Sequence, residues 1–73
     1  MDKYTIVRIF YKGEAETHSV EFKSDLIEAQ QRFFNIVAAD LGNPEITYQA
    51  AYIINAQGMM VEGRVFDRRS AEA

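Results

Sequence analysis

The sequence predicts an α+β domain of order ββαββ, a four-stranded and mostly antiparallel sheet of two hairpins with one helix packed on one face. Three observations predict it. Two pairs of segments rich in β-branched and aromatic residues flank short polar loops containing glycine, as hairpins do. Between the pairs runs one stretch of helical periodicity with an N-cap residue before it and glycine and proline after it. At 73 residues the chain has room for one modest core, so these elements belong to one domain, placed at 1–67, with 68–73 expected as a flexible C-terminal tail.

The first hairpin joins "YTIVRIFYK" to "THSVEFK" through Gly13-Glu14-Ala15-Glu16. A four-residue loop sets Lys12 opposite Thr17, Tyr11 opposite His18, Ile9 opposite Val20 and Val7 opposite Phe22. The apolar residues of the second strand then share a face with Val7 and Ile9, and Arg8 faces Glu21 on the other side. Because the first strand is apolar on both faces, it is expected inside the sheet.

In "SDLIEAQQRFFNIVAADLG" the period becomes helical, with Ser24 or Asp25 as N-cap and Asp25 to Glu28 at capping-box spacing. Gly42-Asn43-Pro44 ends the helix, the glycine being suited to a left-handed cap. Leu26, Ala29, Phe33, Phe34, Ile36, Val37, Ala38 and Leu41 spread over roughly half the wheel, more than one small sheet covers. Phe33 and Val37 are expected in the main core. The excess is covered either by loops and sheet ends or by a second protomer.

The second hairpin, in "EITYQAAYIINAQGMMVEGRVFDRR", turns at Asn55-Ala56-Gln57-Gly58, with Gly58 where a positive φ is needed. Pairing Ile54 with Met59 aligns Tyr52 with Val61, Ala50 with Gly63 and Tyr48 with Val65. Ala50 opposite Gly63 leaves a shallow place for Phe33 or Phe34 to approach the sheet. Both sheet orders, 2-1-3-4 and 2-1-4-3, satisfy this pattern.

With the helix on the Val7 and Ile9 side, the opposite face displays Ile6, Arg8, Phe10, Ile53, Met60, Arg64 and Phe66, which form the candidate interface. Aromatic residues, methionine and arginine are the types enriched where proteins meet. The competing readings are a solvated face shielded by Arg and Lys stems, and a platform that stacks single-stranded nucleic acid. The net charge of −3 and the acids beside Arg8 and Arg64 disfavour nucleic acid.

Chemistry finds little to work with. The chain has no cysteine and one histidine, so no catalytic constellation, metal site or cofactor site is expected. His18 and Glu16 share one side of a strand without a third ligand. Ser19, Ser24 and Ser70 lie outside any G-x-S-x-G context, and no two glycines form a phosphate-cradling loop. No segment reads as a signal peptide or membrane span, so a cytoplasmic protein is expected. In composition the chain resembles small bacterial or phage accessory proteins, a likeness that supplies no site. The expected role is a non-enzymatic interaction module, homodimeric or docked on a larger protein.

Overall fold

A computed structural model describes residues 3–68. It contains strands β1 (Tyr4–Lys12) and β2 (Ala15–Lys23), helix α1 (Leu26–Leu41), and strands β3 (Ile46–Asn55) and β4 (Met60–Asp67). The sheet order is β2-β1-β3-β4 with every neighbouring pair antiparallel, the first of the two expected orders. β1 lies inside the sheet, as its two apolar faces require.

The first hairpin is tighter than expected, and the second is shifted in register. Lys12 pairs with Ala15 rather than Thr17, leaving Gly13 and Glu14 as a two-residue turn. Gly13 has φ 62° at the first central position, where such a turn needs a positive value. In the second hairpin Tyr48 pairs with Asp67 rather than Val65, and Gly58 has φ 82° as anticipated. The slip is two residues along the first hairpin and along the second from Tyr48 to Ile53, and one residue at Ile54, which faces Met60 rather than Met59. An even slip keeps the facial grouping of side chains, whereas the individual partners change. Arg8 thus lies opposite Ser19 and not Glu21, and Ala50 lies opposite Val65 and not Gly63.

The helix begins as its sequence dictates, with Asp25 Oδ2 accepting from the Glu28 backbone N–H at 3.3 Å. It ends differently. Gly42 keeps a right-handed φ of −80°, so no left-handed cap forms. Instead Arg68 arrives from the far end of the chain. Its guanidinium donates to the carbonyls of Asn43 (2.7 Å), Ile46 (2.8 Å) and Leu41. It thereby supplies the cation that the last helical turn lacks. The Arg68 backbone N–H also bonds to the Thr47 carbonyl at 2.8 Å, so the first residue of the expected tail is anchored. The remainder of that expectation, 69–73, and Ser70 with it, lies outside the described residues.

The helix covers the face opposite to the expected one. Its buried stripe of Ala29, Phe33, Ile36 and Val37 forms one core with Ile6, Ala51 and Ile53. Of these sheet residues, Ile6 and Ile53 are expected from the sequence on the open side, and the helix covers them instead. The alternation was read correctly but the covered face was not, because both faces of the sheet are apolar enough to accept a helix. Two polar contacts distinguish them. Asp40, 2% exposed on the same stripe, is held by Arg8 through Nε to Oδ2 at 2.9 Å and Nη2 to Oδ1 at 2.5 Å. Arg32 forks onto Glu21 with three contacts of 2.9–3.0 Å. Arg8 and Glu21 project from the Ile6 side, and no arginine or lysine occupies a strand position on the other. Docked there, Asp40 would be buried without a counter-charge, which is strongly unfavourable. Chain topology adds a constraint, since α1 links β2 to β3, parallel strands separated by β1. Crossovers between parallel strands take one hand, so strand order selects the helix side.

Candidate functional site

Among the seven expected interface residues, Ile6 and Ile53 are fully buried beneath the helix. Arg8 is engaged with Asp40, and its guanidinium carbon lies 4.0 Å from the Phe10 ring centroid. Phe66 is half-buried under Arg68, whose guanidinium carbon stands 4.9 Å from the ring. Arg64 is exposed on the helix side of β4, opposite Ala51. Met60 alone changes sides. A bulge between Ile53 and Ile54 sets Met60 opposite Ile54, so its side chain joins the face away from the helix. The seven residues therefore do not form one exposed surface.

The exposed sheet surface is the other face, which the three strand pairings organise into cross-sheet rows. At one end stand Glu16, Tyr11, Tyr48 and Asp67. Next come His18, Ile9, Ala50 and Val65, then Val20, Val7, Tyr52 and Gly63, and at the other end Phe22, Thr5, Ile54 and Met60. Three of the four rows are almost wholly apolar. Val20 (52%), Phe22 (59%), Val65 (55%) and Met60 (63%) are exposed on the outer strands, where a solvated sheet would carry polar groups. Ala50, at the centre of the face, is 2% exposed. An added Cβ at Gly63 would lie 3.1 Å from Tyr52 Cδ1 and 2.9 Å from Met60 Sδ, so the ring and the thioether cover the glycine.

The polar row has its own bonding. Tyr11 and Tyr48 meet edge to face, with centroids 5.6 Å apart at 89°. The Tyr11 hydroxyl donates to Glu16 Oε2, and His18 Nε2 lies 2.6 Å from Glu16 Oε1. The Tyr11 hydrogen bond, followed by the charge and hydrogen bond of His18, holds the Glu16 carboxyl below its ordinary value. This cluster joins one histidine to one carboxylate, and no group of three metal-ligating side chains occurs among the described residues.

A second apolar surface runs along the helix. Ile27, Phe34 and Leu41 are 63%, 43% and 52% exposed on the side turned from the sheet, and Phe34 packs edge-on against Phe33 at 5.0 Å. Phe34 and Leu41 belong to the broad stripe expected from the sequence, and Ile27 extends it. No loop covers it.

Sequence reasoning missed Val20, Phe22, Tyr52 and Val65 as surface residues because it gave the more apolar face to the helix. The available signal was Asp40, an acid on the apolar stripe that needs a cation beneath it. Arg8, near the middle of the central strand β1, supplies that cation. Comparisons with protein-family models, with curated proteins and with solved structures each found no match. No described helix is long and apolar enough to cross a membrane.

Proposed function

We propose that this chain is a small non-enzymatic protein–protein interaction module whose contact surface is the sheet face away from the helix, acting by occlusion or assembly. One observation carries the reading: three contiguous rows of that face are almost wholly apolar, with Val20, Phe22, Met60 and Val65 exposed, while the helix occupies the less apolar side. A contiguous apolar patch on a small chain marks a place where something binds. Tyrosine, phenylalanine and methionine are favoured at such contacts. The same face argues against single-stranded nucleic acid. It offers aromatic rings for stacking but no arginine or lysine at any of its strand positions, and it ends in the acidic Glu16 and Asp67.

Photo-crosslinking residues placed singly at Val20, Val65 and, as a control, Glu45 test the reading in cells that express the chain. Protein adducts identified by mass spectrometry should come from the two sheet positions and not from Glu45. Equal yields from all three would refute it. Adducts to nucleic acid, matched by salt-sensitive binding of labelled oligonucleotides, would establish the rival.

A further inference from the structure

We infer that the exposed flank of α1 is a second contact surface, separate from the open sheet face, and that a second copy of this chain occupies it, the two helices packing antiparallel about a two-fold axis level with Phe34. Ile27, Gln31, Phe34, Ala38 and Leu41 recur at alternating spacings of four and three residues, and all five are exposed and uncharged. That spacing is the seam of a helix pair. A flank that met only water would carry charges along it, yet the exposed charges of α1, Glu28 and Arg32, lie outside the seam. A depression lies between Ile27, Gln30, Gln31 and Phe34, bordered by Asn35. Four residues so spaced form the hole that receives a side chain from a facing helix.

Reciprocity of size and charge names the occupant. Antiparallel pairing about Phe34 sets Ile27 against the partner copy's Leu41 and Gln31 against its Ala38, so the long amide meets the smallest side chain of the seam. Parallel pairing would stack Ala38 on Ala38 and align the helix dipoles, both unfavourable. The strand beside the seam repeats the symmetry. Arg32 reaches Glu21 on edge strand β2, and Phe34 lies about 160° from Arg32 around the helix, so the seam flanks the β4 side. On the helix side of β4, Glu62 pairs with Ile53 and Arg64 with Ala51, the two β3 residues that share the Phe33 core. They are therefore level with Phe34. Neither charge has an ion pair or side-chain hydrogen bond among the described residues. An axis at that level, passing by Gly63, brings each Glu62 beside the partner copy's Arg64. From seam to strand the contact is about 24 Å long and about 15 Å wide, which with side-chain relief gives on the order of 1,000 Å² over both copies, enough for a specific interface.

Charge reversal tests the axis without touching the core. Sedimentation across a concentration series should show a dimer for the parent, and Glu62→Arg or Arg64→Glu, each placing like charges together twice, should weaken it by about tenfold or more. The double variant with both changes should regain the parent's association, and so should an equimolar mixture of the two single variants. Ile27→Glu, at a position 63% exposed, should give a monomer whose circular dichroism matches the parent's. A folded parent that stays monomeric at high concentration would overturn self-association through this flank. A dimer indifferent to Ile27→Glu would overturn the seam, and a double charge variant no better than the single ones would overturn the axis. None of these results bears on the open sheet face, whose photo-crosslinking adducts test it separately.

Discussion

Replacing Arg8 by methionine removes the counter-charge of a carboxylate that has no other route to water. Asp40 is 2% exposed, sits in the last turn of α1 where the helix end is already negative, and takes both its side-chain contacts from Arg8. Leaving such a group unpaired costs about 3 to 5 kcal/mol. The lower end applies here, because the Arg8 side chain is 24% exposed and water can follow into the space it leaves. A chain of this size has about 4 to 11 kcal/mol in total, so Arg8→Met should be close to unfolding. Asp40→Ala is expected to cost less, about 1 to 2 kcal/mol, since the freed guanidinium can turn toward solvent over the Phe10 ring. The double variant Arg8→Met with Asp40→Leu replaces the pair by apolar groups and should recover most of the loss. Urea unfolding followed by circular dichroism gives all three values by linear extrapolation. Equal destabilisation by the two single changes, or a double variant no better than Arg8→Met, would refute the argument that this pair sets the helix on its face.

Gln49 lies fully buried under the helix, and neither amide atom finds a partner among the described residues. Gln49→Leu should therefore raise the urea midpoint, by about 1 to 2 kcal/mol of stability, whereas a loss would mean that the amide is bonded to something beyond the chain. Phe33→Ala empties the centre of the core and should cost roughly 3 to 5 kcal/mol, and thermal melting like the parent's would contradict the helix orientation. Hydrogen bonding from Arg32 lowers the Glu21 pKa from its ordinary 4.5, so the pair's stabilisation is present above that value and fades as pH falls through the lowered one. The pair is largely exposed, so Glu21→Gln should cost under about 1 kcal/mol at neutral pH and nothing in acid, which urea titrations at two pH values would check.

Local signals in the sequence were strong enough to define the elements. Asp25 and Glu28 located the helix start within a residue, and Gly58 located the second turn. Register was less accessible, because four-residue and two-residue loops both keep Val7, Ile9, Val20 and Phe22 on one face. Turn geometry at Gly13 decided between them. The bulge that turns Met60 to the open face left no local mark, since "GMMVEG" alternates as well without it. Assignment of the helix to a face depended on pairs remote in sequence, Arg8 with Asp40 and Glu21 with Arg32, and on the strand order that routes the crossover. Hydrophobic alternation reports which side chains share a face; it does not report which face is covered when both are apolar. The candidate surface followed the helix, so it moved as one piece to the opposite side of the sheet.

The central claim is that the helix covers Ile6 and Ile53 and leaves the more apolar face free of it. Nuclear Overhauser contacts between the Phe33 ring protons and isoleucine and valine methyl groups test it most directly. Contacts from Phe33 to Ile6 and Ile53 are the expected result. Contacts from Phe33 to Val7 and Ile9 in their place would put the helix on the other side and contradict the account.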